Sequence, residues 1–219
     1  MLKLIGLVVV TSSIFCVGVA SAQDPVYQQS TQFHVKGLIK PTACKLIFEG
    51  GDTWDYGIIA SSEIDAESGG EKFIRREGDT RKITIQCDSD TSVRVKFVDA
   101  FSENKGSKGA FGLNKTSNDK KFGIHYFSLQ GAPVLTDSSG AVDGAVFGRS
   151  ENQDNWHKVG FNHDWVWADN FYTPITQEGV PVPFTSLTTA IKSVVALNKG
   201  LGLVEEEEFR GTVTMELWY

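Results

Sequence analysis

Hydrophobic and polar residues alternate over long stretches of this chain. The clearest runs are residues 82–87, 92–98, 122–127, 190–197 and 211–219. Such alternation puts apolar side chains on one face and polar ones on the other, as a half-buried antiparallel strand requires. Residues 186–197 come nearest to a helical pattern, but their threonines, valines and isoleucine favour a strand. The pattern predicts an all-β chain folded as one antiparallel β-sandwich with long loops.

The first 22 residues have the pattern of a secretory signal peptide. One basic residue, Lys3, precedes a mostly apolar run, and Ala-Ser-Ala at 20–22 has the small-x-small form of a cleavage site. A membrane anchor is the alternative, disfavoured because polar residues at 11–13 interrupt the run and no basic flank follows it. We therefore expect export, with a mature chain that starts at Gln23.

Cleavage of the signal peptide changes the number of cysteines in the mature chain. Of the 3 cysteines, Cys16 would be lost with the signal peptide, leaving Cys44 and Cys87. Two cysteines in an oxidising compartment predict a disulfide bond. A zinc site would need closely spaced cysteine pairs, which this sequence does not contain.

Both ends of the predicted domain carry a family resemblance. Residues 32–48 read QFHVKGLIKPTACKLIF, which contains a G-x-I-x-P-x-A-C pattern ending at Cys44, and the last strand reads FRGTVTMELWY. With the signal peptide and the cysteine pair, this order resembles a bacterial fimbrial (pilin) subunit of the chaperone–usher class. Within that class it is most similar to a group of pilin-like exported proteins. The resemblance covers residues 32–98 and 186–219.

The resemblance implies an immunoglobulin-like sandwich that lacks its final strand. Such a subunit exposes a hydrophobic groove beside an unpaired strand edge. A periplasmic pilus chaperone first covers the groove, and at the outer-membrane usher the N-terminal extension of another pilus subunit replaces it by donor-strand exchange. The resemblance thus implies a structural pilus subunit that passes through the periplasm to the cell-surface fimbrium and contributes to cell adhesion. It assigns 23–36 as donor extension and 37–219 as the pilin-like domain, with an insertion around 99–185.

The resemblance also assigns the residues of both strands. The inward donor residues are Tyr27, Phe33 and Val35, with the polar Gln29 and Thr31 at the intervening positions of the same parity. The groove-lining strand uses Phe209, Gly211, Val213, Met215, Leu217 and Tyr219. Pilins commonly carry an aromatic residue next to last, here Trp218, whereas strict alternation selects Tyr219, so which of the two faces inward stays open. The alternative for both ends is that they are ordinary strands of a complete sandwich.

The charge balance excludes some partners. The chain has 27 acidic and 21 basic residues, a formal net charge of −6. Because phosphate neutralisation dominates binding to nucleic acids, an acidic chain without a basic run is not expected to bind them. Anionic membrane surfaces are disfavoured for the same reason.

The remaining candidate chemistry centres on an aromatic segment at 154–172. Trp156, Trp165 and Trp167 could form a sugar- or protein-binding surface, which would make the chain an adhesin-like exported binding domain. The alternation of Trp165 and Trp167 favours a buried strand face instead. His157, His163 and Asp164 match no metal-binding pattern, and we expect neither an enzyme nor a cofactor. The glutamates at 205–208 are expected to form a solvated turn.

Overall fold

The computed structural model describes residues 36, 43–65, 72–160 and 164–219. The predicted signal peptide and the donor residues Tyr27, Phe33 and Val35 lie outside them. Nearly all the regular structure is antiparallel strand, as the alternation predicts. None of the helices in the described part has the length and apolar character needed to cross a bilayer.

The described elements follow one another as strands with little helix between them. The strands are β1 (Cys44–Phe48), β2 (Phe73–Thr91), β3 (Arg94–Asp99), β4 (Phe111–Gly112), β5 (Gly123–Asp137), β6 (Gly140–Val142), β7 (Val146–Ser150), β8 (His157–Lys158), β9 (Phe171–Ile175), β10 (Phe184–Asn198) and β11 (Val213–Trp218). The helical elements are α1 (Ser61–Asp65) and a 3-10 turn (Ser102–Asn104).

The strands form two antiparallel sheets. In the six-stranded sheet the order is β1-β2-β10-β5-β4, with β6 paired to β5, and in the five-stranded sheet it is β11-β3-β9-β7-β8. β1 and β11 are therefore both edge strands, one in each sheet. β2, β5 and β10 are much longer than their counterparts, with 19, 15 and 15 residues.

The core lies between the two sheets. Ile83 and Ile85 from β2 and Ile191 from β10 pack against Phe97 from β3 and Tyr172 from β9. The residues from β2, β3 and β10 lie in runs that strand periodicity predicted, whereas β9 is buried at all five positions and shows no alternation. A second apolar cluster, beyond the end of the five-stranded sheet, contains Ile64, Leu113, Phe122, Leu197 and Leu201. This confirms the predicted antiparallel β-sandwich.

The stretch 99–185, expected as an insertion, supplies strands to both sheets. β5 pairs with β10 along most of its length, and β9 pairs with both β3 and β7. Alternation at 122–127 predicted the start of β5, but β9, which is buried at every position, has no alternation that could have shown it. The segment is therefore built into the sandwich.

The predicted disulfide is confirmed. Cys44 and Cys87 face each other directly in the register of β1 and β2, and their sulfurs are bonded across a sequence separation of 43 residues. The bond ties the edge strand β1 to its single described neighbour in the sheet. It therefore holds one border of the opening described below.

We expect the double variant Cys44→Ser/Cys87→Ser to lose roughly 3–4 kcal/mol of unfolding free energy, because the bond restricts a long loop in the unfolded chain. Urea unfolding of the exported protein, with and without reductant, measures this loss. Reductant should reproduce the loss in the wild-type protein and leave the double variant unchanged. Equal stability of both proteins without reductant would contradict the prediction.

Candidate functional site

A large groove opens between the edge strands β1 and β11. It has a volume of about 1230 Å³ and is lined by residues of both sheets. Its borders are β1, the β1 loop (residues 52–61), the strap (residues 203–212) and β11. The floor consists of core side chains, among them Phe97, Phe127 and Ile191. These floor side chains are themselves buried, with Phe97, Phe127 and Ile191 at 4%, 7% and 2% exposure, and no strand of the described residues joins β1 to β11 along this side.

The first wall is built from β1 and the β1 loop. Leu46 and Phe48 contribute the inward face of β1. Beyond them Trp54 lies against the Phe127 ring, with 5.3 Å between ring centroids. Trp54 Nε1 donates a 2.7 Å hydrogen bond to the Asp79 carbonyl, and the Arg81 guanidinium stacks on the indole at 4.7 Å. A loop that sequence analysis left without structure is therefore held firmly in place.

Tyr56 completes this wall, at a point where the backbone of Gly78 passes close to the Trp54 and Tyr56 side chains. The Tyr56 hydroxyl forms a 2.7 Å hydrogen bond with Ser193 Oγ, and burial raises the pKa of Tyr56. A Cβ atom on Gly78 would lie 2.9 Å from the Trp54 ring and 3.0 Å from the Tyr56 hydroxyl. Both aromatic side chains therefore depend on glycine at position 78.

The second wall is β11. Val213, Met215 and Leu217 pack against the core, while Thr214 is exposed on the other face. This is the alternation predicted for the groove-lining strand. Within the described residues β11 pairs with β3 alone, so its second edge presents backbone donors and acceptors toward the groove.

The strap continues the second wall before β11 begins. Phe209 and Gly211, predicted as part of the strand, lie in this non-strand segment. Phe209 sits between the rings of Tyr56 and Phe122, 6.3 Å from each. Asn114 fastens the strap, since its amide donates to the Glu208 carbonyl at 3.0 Å and its side-chain oxygen accepts from the Arg210 backbone N–H at 2.7 Å.

The two terminal aromatic residues point in different directions. The Tyr219 hydroxyl accepts a 3.0 Å hydrogen bond from the Cys44 backbone N–H, which joins β11 to β1 at one end of the groove. Trp218 lies on the outer face of its sheet and meets the Phe171 ring edge-on at 5.5 Å. Neither is buried in the core, at 59% and 44% exposure respectively.

The mouth of the groove combines acidic and apolar residues. Asp52, Asp55 and the glutamates at 205–208 all line it, with Arg210 as the basic residue of the strap. Ile58 and Val204, on opposite walls, are 99% and 93% exposed. The glutamates lie outside regular strand, as expected, but Glu207 accepts hydrogen bonds of 2.8 Å from the backbone and hydroxyl of Ser117.

One buried histidine, which sequence analysis did not single out, lies in the groove floor. His125 is 6% exposed and lies against the rings of Phe111 and Phe127, at 5.4 and 5.2 Å. Its Nε2 atom is buried and has no hydrogen-bond partner among the residues that the structure describes. Burial lowers the pKa of His125 to about 4, so the ring is neutral at pH 7. The sequence feature that could have identified His125 as buried is its parity with Phe127 in a mostly apolar strand.

The aromatic segment lies away from the groove lining and is not a buried strand face. Val166 is the buried residue, while Trp165 beside it is 36% exposed and packs on Tyr126 with 4.8 Å between centroids. The Arg149 guanidinium lies 3.7 Å from the centroid of the half-buried Trp167 ring. The expectation that both indoles face the core is wrong, because the indoles flank the inward residue. Trp156 is half-buried in a separate turn.

No group of three or more metal-ligating side chains occurs in the part of the chain that the structure describes. His157 is exposed on β8 and Asp164 accepts a 2.6 Å hydrogen bond from the Gly160 backbone. His163 lies outside the described residues.

Comparison with known proteins gives one distant similarity. The chain is similar to Protein GltF of Escherichia coli strain K12, with 23% identity over an alignment of 229 residues that covers 86% of this chain and 88% of that protein. No protein-family model matches the chain, and no solved structure matches it.

The buried His125 predicts a specific acid sensitivity. Between pH 6.5 and about 4 the unfolded chain binds a proton at this position that the folded chain excludes, so stability falls as the pH drops through this range. The full loss is about 3 kcal/mol. Urea unfolding at pH 7, 5.5 and 4 measures it.

His125→Leu should flatten this part of the stability profile, whereas His157→Leu, on an exposed strand, is the matched control and should keep it. If stability falls equally with pH in the wild type and in His125→Leu, the assignment of this acid sensitivity to His125 is contradicted.

Proposed function

We propose that the protein is a structural subunit of a chaperone–usher pilus that assembles by donor-strand exchange. The observation that supports this most strongly is the groove between β1 and β11. Each sheet ends there in an edge strand, and core side chains line the gap between them. A strand inserted in this gap would pair with the free edge of β11 and cover the apolar floor.

The energetics favour an extended peptide as the occupant. Backbone donors and acceptors on an open edge bind another strand readily, and this is a source of aggregation unless a partner covers the edge. In strand addition, main-chain hydrogen bonds supply affinity while pockets for alternate side chains supply specificity. The exposed Ile58 and Val204 at the mouth would gain cover from such a partner.

The proposed occupants are a periplasmic chaperone strand first and residues 23–37 of a neighbouring subunit in the fibre. This segment carries apolar residues at alternate positions, Tyr27, Phe33 and Val35. Its second half contains Lys36 and no acidic residue, which complements the acidic mouth of the groove. Donor and groove are formed by different residues, so donation from one copy to the next gives a head-to-tail contact that extends into a filament.

The disulfide contributes to this function by fixing β1, the groove wall opposite the edge at which the partner strand would pair. Cys44–Cys87 holds β1 in the six-stranded sheet, while β11 is left to pair with the incoming strand. An exported subunit that crosses an oxidising periplasm can form this bond before assembly.

The alternative function, an exported carbohydrate- or protein-binding domain that uses residues 154–172, has weaker support. Flat aromatic faces bind sugars by stacking, but the Arg149 guanidinium already lies over the Trp167 ring. Trp165 remains partly exposed beside Tyr126, which leaves a small aromatic surface.

A charge in the groove wall should block assembly. Val213→Asp places a carboxylate against the apolar floor, where an unpaired charge costs more to desolvate than the roughly 2–7 kcal/mol of an unpaired neutral polar group. We expect co-purification with the periplasmic chaperone to fall at least about tenfold and fibre formation to be lost. Thr214→Asp, on the exposed face of the same strand, is the matched control and should assemble. Similar behaviour of the two variants would contradict an assembly role for β11.

The exported chain without chaperone should self-associate, and a peptide of residues 23–37 should bind it and raise its melting temperature, since the peptide supplies the missing strand. Thermal unfolding with increasing peptide concentration measures this, with a peptide of the same composition in scrambled order as control. A stable monomer that binds neither peptide would be evidence for a complete sandwich.

A further inference from the structure

We propose that the strand filling the groove must carry one inward-facing polar side chain, and that Gln29 or Thr31 of a neighbouring subunit supplies it by hydrogen bonding to His125 Nε2. This inference rests on the proposed function and deepens it. It explains why the donor segment is less apolar than its role in covering a core would suggest.

The groove floor contains a buried polar atom that has no hydrogen-bond partner within the described part of the chain. His125 lines the groove between aromatic rings, and its Nε2 is buried without a hydrogen bond. Buried polar groups in folded proteins nearly always have a partner, because leaving one unpaired costs the full desolvation penalty. A partner absent from the free subunit can therefore come from the strand that completes the sandwich.

Gly211 is the residue of the strap that lies against this nitrogen. A Cβ atom on Gly211 would lie 2.7 Å from His125 Nε2 and 3.0 Å from Leu113 Cδ2. Any other residue at 211 would therefore clash with the imidazole, and only glycine lets the strap pass here. Gly211 precedes the first residue of β11, so a hydrogen bond from an incoming strand to Nε2 requires the strap to move away from His125 at Gly211.

The donor segment offers a matching group. Tyr27, Gln29, Thr31, Phe33 and Val35 share one parity, so an extended strand directs all five side chains to the same face. Two of the five are polar. A neutral imidazole nitrogen is either a donor or an acceptor, and a hydroxyl or a carboxamide can pair with both forms. The polar positions thereby restrict the register to two neighbouring alignments, because any further shift by two residues would place Tyr27 or Phe33 over Nε2.

Peptide binding to the full exported chain tests this. Labelled peptides of residues 23–37 are compared as wild type, Thr31→Val and Gln29→Leu, with Ser30→Ala and Gln28→Leu as controls of opposite parity. We expect one of the first two variants to bind about tenfold more weakly and both controls to bind like the wild type. The protein itself is unchanged, so misfolding cannot produce the result.

The His125→Leu protein completes the test. On this protein, the sensitive peptide variant should bind as tightly as the wild-type peptide. In ¹⁵N NMR of the wild-type protein, the His125 Nε2 resonance should shift when the wild-type peptide binds and should not shift in the same way with the sensitive variant. If Thr31→Val and Gln29→Leu both bind the wild-type chain at least as tightly as the wild-type peptide, the inference is overturned while the proposed function stands. If the wild-type peptide does not bind, both are overturned.

Discussion

The edge of β11 that pairs with no strand of the described residues is the constraint on which the rest of this structure depends. A sheet edge presents backbone groups that need partners, and here that edge borders a groove lined by core side chains. The long strands β2, β5 and β10 extend the six-stranded sheet well past its counterpart, so a wide apolar surface needs cover. The β1 loop and the strap cover its far end, and the groove is what they leave open.

The walls of the groove are held by different means. On the β1 side a disulfide, the Trp54 indole hydrogen bond and the Tyr56–Ser193 contact hold the chain. On the β11 side the strand pairs with β3, while the strap is held by hydrogen bonds to Asn114 and Ser117 and by the ring contacts of Phe209. Two fixed walls beside a strand edge that no described strand covers suit a site that receives an extended chain, which is the function proposed for this protein.

Much of the fold could be predicted from the sequence, because the features concerned depend on residues that are neighbours in the chain. Residues 82–87 and 213–217 alternate cleanly because one face of each strand meets the core, and the two cysteines could pair only with each other once Cys16 was set aside. The strands between 99 and 185 were less visible, because tight turns and short pairings interrupt their period. Trp165 and Trp167 were misassigned because Val166 between them is the residue that faces inward.

The sequence by itself determined the class of fold, the disulfide and the inward face of the last strand, since each follows from the identity of neighbouring residues. Only the tertiary structure decided where the sheets end, which loop covers which part of the core, and that His125 lies in the groove floor with an unpaired nitrogen. Those features arise from contacts between residues far apart in the chain, such as Trp54 with Phe127 and Gly211 with His125. Periodicity reports the burial of a side chain, but it carries no information about which distant group the side chain meets.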